Sequence, residues 1–383
     1  MRRLNIVSLI ILWSSSMAIA AGVSVKSSFA FKPLLDLTVE SSKIEISNMP
    51  KIRSQGEFPI CYGIAAATLA QWYVCKEKNI ADCKQVPPES EISPFSMVGW
   101  ARKNIVICEK KDGKLFDEIG SEVPAEYCGT EKLGGAIASS YSNLGLFEGA
   151  SSAAMMNSAR AFSFKTEACF KNDEVINRYG KTKDSVEDFL NKVKSLYANN
   201  KGKTEGCESC LTGIAEEANK LLSTNQINVS LIKEALDKNT VQEFLYKIVF
   251  RDCPSISVSR RPNVKLYPDT YVLAGEKDAA SVNDIAEKVK TVLTQGKPVL
   301  LNDICLLRDA NNNCTEEHVV VISGYKEACD KSGKSCKKLL KVQNSWGADW
   351  QKLNNDGWVD EATLMANISH QSPFKRGVLS WYE

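Results

Sequence analysis

Thirteen cysteines constrain the fold of this 383-residue chain more than any other feature. All of them lie after residue 60, and because their number is odd, at least one thiol is left over after pairing within the chain. In an oxidising compartment cysteines form disulfides, and a leftover thiol in an exported protein is a candidate reactive group. The cysteines are Cys61, Cys75, Cys83, Cys108, Cys128, Cys169, Cys207, Cys210, Cys253, Cys305, Cys314, Cys329 and Cys336.

The N-terminus predicts export. Residues 2–3 are basic, residues 6–13 are apolar, and residues 14–20 are mostly small. This is the order of a cleavable signal peptide, and the apolar run is shorter than the roughly 20 residues that span a bilayer as a helix. We therefore expect residues 1–20 to be a signal peptide and the mature protein to be secreted or periplasmic. An uncleaved signal anchor is the alternative.

The charge balance argues against two classes of partner. The formal net charge is +2, and the two arginines of the predicted signal peptide account for it. A neutral mature chain has no general electrostatic attraction for nucleic acid or for an anionic membrane. The 44% of hydrophobic and 25% of charged residues are typical of a globular protein and exclude a disordered or fibrous one. We expect a monomer.

Four stretches of different pattern follow the signal peptide. Residues 21–50 are a short mixed lead-in. Within residues 51–150, an almost wholly apolar, alanine-rich run over residues 60–77 predicts a buried helix. Residues 151–259 have apolar residues three and four apart, which predicts amphipathic helices. Residues 260–383 contain short aliphatic runs between turns, which predict an antiparallel sheet.

A cysteine begins the predicted buried helix, and a glutamine stands six residues before it. The positive end of the helix dipole would lower the pKa of the Cys61 thiol. The side-chain amide of Gln55 and the backbone N–H of Cys61 would supply two donors to a developing oxyanion. A buried cysteine that only packs in a core helix accounts for this segment equally well.

The chain has two histidines, and one of them is better placed to pair with Cys61. His318 opens the aliphatic run Val319–Ile322, which predicts a strand that can hold an imidazole rigidly, although such a histidine is often only a core residue. His370 lies in a polar, loop-like stretch. His318 is therefore the candidate base.

Asn344 begins the sequence Asn-Ser-Trp-Gly directly after another aliphatic run. Its side chain can accept a proton from an imidazole and fix the tautomer of the ring. Trp346 can cover that hydrogen bond and exclude water, which strengthens it. Tryptophans near a glycine turn also occur simply as core residues.

Together these segments resemble the papain-like (C1-type) cysteine peptidases. The step from Gln55 to Cys61, the histidine before an apolar strand that ends in Gly-Tyr, and Asn-Ser-Trp-Gly before a second tryptophan all agree with that family. The resemblance implies an α+β, papain-like two-lobe fold. A helical lobe would carry Cys61, an antiparallel, β-barrel-like lobe would carry His318 and Asn344, and residues 151–259 would be a helical insertion.

The resemblance also implies roles for residues of an exported cysteine peptidase. Cys61 would be the nucleophile, His318 the general base and acid, Asn344 the residue that orients the imidazole, and Gln55 the oxyanion-hole residue. No metal and no cofactor are expected.

Three further residues take a role from the same resemblance. Gly134 and Gly135 would line the cleft and bind the backbone of a peptide or protein substrate, and Trp346 would shield the site.

The chain also departs from the family. Phe58 stands where the family usually has a cysteine, and His318 follows Cys61 by far more than the family's roughly 130–150 residues. The lead-in is shorter than the inhibitory propeptide that is common in the family. The insertion would either pack on the back of a lobe or overhang the cleft. The alternatives to a peptidase are a catalytically inactive binding protein and a non-peptidase acyl transferase on the same fold.

If Cys61 is the leftover thiol, the other cysteines pair. Short separations predict local disulfides for most of them, and Cys207-x-x-Cys210 is alternatively a redox pair or half a zinc site. The predicted disulfides are Cys75–Cys83, Cys305–Cys314, Cys329–Cys336, Cys108–Cys128, Cys207–Cys210 and, by remainder, Cys169–Cys253.

Overall fold

A computed structural model of the chain combines helices with antiparallel strands, as the sequence predicts. None of the helices in the described residues is long and apolar enough to cross a membrane. The predicted signal peptide, Gly134, Gly135, His370 and three cysteines (Cys108, Cys128 and Cys169) lie outside the described residues. The structure describes residues 30–32, 37–100, 109–111, 113–116, 155–156, 164–168, 170–203, 207–239, 241–250, 253–256, 263–268, 280–368 and 378–383.

The predicted buried helix is present as α1 (Cys61–Glu77), and its alanines are buried around the helix. Small residues allow α2 (Pro94–Trp100) to approach α1 closely, since a Cβ at Gly63 would lie 2.6 Å from the side chain of Val98. The disulfide Cys75–Cys83 links the end of α1 to the chain that follows it. Helix α1 is therefore held by close packing near its start and by a disulfide near its end.

In the described residues of the predicted insertion, most of the chain forms five amphipathic helices. The side chain of Thr182 caps one of them and that of Asn228 caps another, each by accepting a backbone N–H of the first turn. Their apolar sides share one core with α1, because Phe189 packs against Phe58 with ring centroids 6.0 Å apart. The helices are α3 (Asn172–Tyr179), α4 (Lys183–Ala198), α5 (Glu208–Leu222), α6 (Val229–Leu236) and α7 (Val241–Phe250).

The described strands are β1 (Val39–Glu45), β2 (Glu109–Lys111), β3 (Lys114–Phe116), β4 (Phe164–Lys165), β5 (Ser255–Ile256), β6 (Val264–Tyr267), β7 (Val299–Arg308), β8 (Cys314–Cys329), β9 (Cys336–Gln343), β10 (Trp358–Asp360) and β11 (Leu379–Tyr382). Seven of them form an antiparallel sheet in the order β10-β9-β8-β7-β11-β6, with β1 also paired to β8. Two small two-stranded sheets, β2–β3 and β4–β5, lie apart from it, and the strands of the second come from distant parts of the sequence. The helices of the C-terminal part are α8 (Val282–Thr294), α9 (Gly347–Leu353) and α10 (Glu361–Ala366).

The lead-in is part of this sheet. Its strand β1 pairs with the second half of β8, from Gly324 to Cys329, while β7 pairs with the first half of β8. The other edge of that second half is paired with β9. Strand β1 therefore lies on the same edge of β8 as β7, beyond the point where the pairing with β7 ends. The predicted lead-in of residues 21–50 therefore contains a structural strand.

Four of the predicted disulfides are formed in the described part of the chain. They are Cys75–Cys83, Cys207–Cys210, Cys305–Cys314 and Cys329–Cys336. The bond between Cys207 and Cys210 leaves neither thiol to bind zinc. Cys253 is also disulfide-bonded. Its predicted partner, Cys169, lies outside the described residues.

Candidate active site

Cys61 is the one free thiol among the described cysteines, and it is the first residue of α1. Burial raises the pKa of this thiol to about 11, although backbone N–H groups of Val319, Tyr62 and Cys61 itself act to lower it. The lowered pKa that the helix dipole predicts is therefore wrong for the thiol alone, because desolvation of the thiolate outweighs the dipole. A base must take the proton.

Val319, whose backbone N–H lies beside the Cys61 thiol, directly follows the candidate base His318 in the sequence. His318 is where β8 enters the core: Thr315, Glu316 and Glu317 are exposed, and burial begins at His318, which is 2% exposed. The alternation of a half-buried strand is lost there because both faces of β8 are covered. Strand β8, which pairs with β7 at His318, thus passes the start of α1 at the next residue, Val319.

The imidazole of His318 makes the hydrogen bond predicted for it. Its Nε2 lies 2.8 Å from Oδ1 of Asn344, which is 1% exposed and directly follows β9. Because an amide oxygen only accepts, Nε2 carries the proton, and in the neutral ring the lone pair is then on Nδ1. Asn344 thus selects the tautomer that a base at Nδ1 requires.

Trp346 covers this pair. Its ring stacks on that of His318 with centroids 4.8 Å apart and planes inclined by 30°. Trp350 in α9 meets Trp346 edge to face at 5.7 Å. The predicted shielding residue therefore lies on a face of the imidazole, where it excludes water from the hydrogen bond with Asn344.

Gln55 is 6% exposed and its amide is held at both ends. Its Oε1 accepts a hydrogen bond of 2.6 Å from the hydroxyl of Ser345, and its Nε2 donates one of 3.0 Å to the carbonyl of Phe58. A glutamine NH2 has two donors, so one N–H stays available for an oxyanion. This geometry is compatible with the role predicted for Gln55.

The segment that carries Gln55 also pairs with the segment that follows Asn344. The N–H of Gln55 donates to the carbonyl of Ser345 at 2.8 Å, and Ser54 forms a β-bridge with Trp346. The N–H of Gly347 donates to the carbonyl of Arg53 at 3.2 Å. These backbone bonds bring Gln55 and Asn344 together from distant parts of the sequence.

Residues of the predicted insertion contact this segment from its other side. Gly56 has φ of +54°, and a Cβ built there would lie 2.4 Å from the carbonyl oxygen of Gly180. The same carbonyl accepts the N–H of Glu57 at 2.8 Å, and Nδ2 of Asn172 donates to the carbonyl of Ser54 at 3.2 Å. The loop between Gln55 and Cys61 therefore rests on the end of α3.

A buried charged cluster lies behind the same loop. Arg53 is 3% exposed and binds the carboxylate of Glu91 at 2.9 Å. The carboxyl of Glu167, 5% exposed, accepts the N–H of Asn172 at 2.6 Å. Burial raises the pKa of Glu167 to about 8 against the opposing charge of Arg53, so this carboxyl is mostly protonated at neutral pH.

The structure thus joins His318 to Asn344 and Trp346, joins Gln55 to the neighbouring Ser345, and places the Cys61 thiol against the backbone of Val319. Three other positions lie outside the described residues: Gly134 and Gly135, which the resemblance assigns to the substrate cleft, and His370, the less favoured candidate for the base.

Sequence reasoning missed two contributors. Ser345 lies inside the Asn-Ser-Trp-Gly motif, so the motif could have pointed to the hydroxyl that donates to Gln55. Phe31, whose ring meets Trp346 at 5.4 Å, has no local signal because its partners are at the far end of the chain.

No family model and no curated protein matches the chain. Similar solved structures include digestive procathepsin L 3 of the Tenebrio molitor larval midgut, at 10% identity and a TM-score of 0.37, over 94% of this chain and 76% of that one. SERA5E of Plasmodium falciparum is similar at 11% identity and a TM-score of 0.32, over 88% and 91%. A second SERA5E structure, in which a further loop is ordered, is similar at 12% and 0.34, over 89% and 91%. Likeness at this level assigns no activity, so the function is argued from the site alone.

Proposed function

We propose that this chain is an exported, papain-like cysteine peptidase that hydrolyses peptide bonds through an acyl-enzyme. The observation that carries the proposal is the buried hydrogen bond of 2.8 Å between His318 and Asn344, covered by Trp346, together with the free thiol of Cys61 against the backbone of Val319, the residue after His318. In this proposal the nucleophile helix and the sheet belong to two lobes, and the substrate lies between them.

The first step is activation of the thiol. Because burial holds the pKa of Cys61 near 11, water alone does not ionise it at neutral pH. Nδ1 of His318 takes the thiol proton, and the resulting imidazolium stabilises the thiolate as an ion pair. Asn344 keeps the ring in place by accepting the Nε2 proton throughout.

Acylation follows from the same groups. The thiolate attacks the scissile carbonyl carbon, a C–S bond forms, and the carbonyl π electrons move onto oxygen. The free N–H of Gln55 and the backbone N–H of Cys61 stabilise that oxyanion. The imidazolium of His318 then gives its Nδ1 proton to the amide nitrogen, the C–N bond breaks, and the amine leaves.

Hydrolysis regenerates the thiol. His318 removes a proton from water, and the hydroxide attacks the thioester carbonyl with the same oxyanion donors in place. Collapse of this intermediate breaks the C–S bond and releases the acid, and the imidazolium returns its proton to the thiolate. These residues are sufficient for the reaction, so the proposal includes no metal and no cofactor. The partner is a peptide or protein substrate, and the enzyme acts as a monomer outside the cytoplasm.

A thiol-directed probe tests the proposal. Alkylation of the unreduced protein, followed by mass spectrometry, is expected to label Cys61 and no other cysteine, and Cys61→Ser is expected to abolish both labelling and peptide hydrolysis. His318→Ala is expected to abolish hydrolysis, and His370→Ala serves as the matched control that keeps it. Label on a different cysteine, with Cys61 in a disulfide, would overturn the assignment.

The same experiment separates the alternatives. A protein that labels at Cys61 but hydrolyses no peptide is a binding protein with a reactive thiol. A protein that transfers the acyl group to an added amine faster than to water is an acyl transferase. Hydrolysis that depends on both Cys61 and His318 supports the peptidase.

A further inference from the structure

An aromatic side chain from the lead-in contacts the candidate site. The ring of Phe31, a residue that is 4% exposed, lies edge to face with that of His318 at 6.2 Å. It meets Trp346 at 5.4 Å and Trp350 at 5.3 Å, both also edge to face. These separations are within the range of favourable aromatic pairs. Phe31 therefore belongs to the wall around the imidazole.

The lead-in is anchored on both sides of this contact. The carbonyl of Lys32, the next residue, accepts the N–H of Asp360 at 2.8 Å. Further along, the N–H of Thr38 donates to the carbonyl of Cys329 at 3.0 Å, and β1 then pairs with β8. The position of Phe31 is thus determined by backbone hydrogen bonds to the sheet.

Ion pairs fasten the same strand. Lys326 of β8 binds Glu40 of β1 at 2.7 Å, and Lys341 of β9 binds Glu45 of β1 at 2.6 Å. Both lysine side chains are largely buried, at 10% and 16% exposure, so solvent screens these pairs less than it screens pairs on the open surface. A segment held in this way has the contacts of a permanent strand and not those of a detachable propeptide.

Phe31 and Trp346 shield different sides of the imidazole. Trp346 stacks on a face of His318, whereas the plane of Phe31 is inclined to that ring by 86°. Removing water from around a hydrogen bond strengthens it, and it also disfavours the charged form of a histidine. The loss of Phe31 would therefore loosen the bond between His318 and Asn344 and hydrate the ring.

We propose that Phe31 is a positioning residue for His318 and that the lead-in stays attached in the active enzyme. The inference rests on the proposed function as far as activity is concerned. The effect of Phe31 on the environment of the His318 imidazole can be measured without any turnover. The role of Phe31 and the proposed peptidase function can therefore fail separately.

The first test follows the titration of His318 by NMR of isotope-labelled histidine in full-length Cys61→Ala protein. The chain has two histidines, so His370→Gln assigns the remaining signal. Adding Phe31→Ala is expected to raise the pKa of His318, because water reaches the imidazolium. Leu37→Ala is the matched control: Leu37 lies in the same lead-in but packs against a separate cluster of Ala328, Leu339 and Trp358, so the His318 pKa is expected to stay the same.

The second test measures hydrolysis of a peptide amide by full-length variants with Cys61 intact. Phe31→Ala is expected to lower kcat by about tenfold and to change KM by less than about twofold, because the imidazole and not the substrate is disturbed. Phe31→Leu, which keeps an apolar side chain, is expected to recover most of kcat, to within about threefold of the unsubstituted enzyme. Sequencing the N-terminus of the purified active enzyme is expected to find Phe31 still attached.

The outcomes decide separately whether Phe31 positions His318 and whether the lead-in stays attached. An unchanged His318 pKa in Phe31→Ala, or an active enzyme that begins after Phe31, overturns the inference. If Phe31→Ala does not fold, the titration of His318 is measured in Phe31→Leu, which lacks the aromatic ring, and a His318 pKa equal to that of the unsubstituted protein overturns the inference. A shifted pKa in a protein that hydrolyses no peptide supports the role of Phe31 and contradicts the proposed function.

Discussion

Gly56→Ala tests whether the predicted insertion holds the loop between Gln55 and Cys61 in place. Gly56 follows Gln55 directly and has φ of +54°, a left-handed conformation that strains a residue with a side chain. The new Cβ would also lie 2.4 Å from the carbonyl oxygen of Gly180, a group that cannot rotate away because it belongs to the backbone. Either the loop or the end of α3 must move.

The expected loss of stability follows from the strained backbone conformation and from the separation of the two backbones. The left-handed conformation costs an L-residue about 1–2 kcal/mol. Separating the two backbones also breaks the hydrogen bond from Glu57 to Gly180, which contributes about 1 kcal/mol. We therefore expect the free energy of unfolding to fall by about 2–3 kcal/mol. Because Gln55 moves with its neighbour, we expect kcat to fall by about tenfold or more, towards the loss of a whole oxyanion donor.

Gly333→Ala is the matched control. Gly333 has φ of +70° in the exposed turn between β8 and β9, and a Cβ there meets nothing within 4 Å. It should show only the conformational cost of about 1–2 kcal/mol and an unchanged kcat. The assays are urea unfolding with disulfides intact and hydrolysis of a peptide amide. Equal stability loss and equal kcat in the two variants would refute the idea that the contact with Gly180 positions Gln55.

Two further predictions concern the imidazole and a buried acid. Asn344→Ala is expected to fold normally by circular dichroism but to lose about 10–100-fold in kcat, because His318 loses its orienting acceptor while the ion pair can still form; a variant with full kcat would contradict that role. The carboxyl of Glu167 has a pKa raised by burial to about 8, so the folded state keeps a proton that the unfolded state loses from about pH 4.5 upward. Stability is therefore expected to fall as the pH rises from about 4.5 to 8, and Glu167→Gln is expected to remove this fall in urea unfolding at pH 5 and pH 8. A slope that persists in the variant would assign it to another group.

The sequence predicted the parts of the fold whose pattern is local. The helix that begins at Cys61 is apolar throughout, and the strands β7, β8 and β9 contain the aliphatic runs that were recognised. Strand β1 was missed because its sequence, Val-Glu-Ser-Ser-Lys-Ile-Glu, has only two apolar residues. Its pairing depends on an open edge of β8, and no pattern within the lead-in reveals that edge.

For the site, residue identity was predictable but electrostatics was not. Cys61, His318 and Asn344 stand in recognisable motifs, and the described contacts join the last two directly. The pKa of Cys61 was predicted with the wrong sign, because the sequence shows the helix dipole and a buried helix but not how strongly burial opposes ionisation of the thiol. The raised pKa of Glu167 escaped notice for the same reason.

The described contacts also bear on the two positions that were open to the insertion. Phe189 of α4 packs on Phe58, and the carbonyl of Gly180 binds the N–H of Glu57, so both contacts fall between Gln55 and Cys61. Phe58 therefore has an aromatic contact with the predicted insertion. These contacts favour a supporting role, in which the helices of residues 151–259 hold the loop between Gln55 and Cys61. The alternative of a lid over the cleft stays a prediction, and comparing hydrolysis of a dipeptide amide with that of an unfolded protein would test it, since a lid would favour the short substrate.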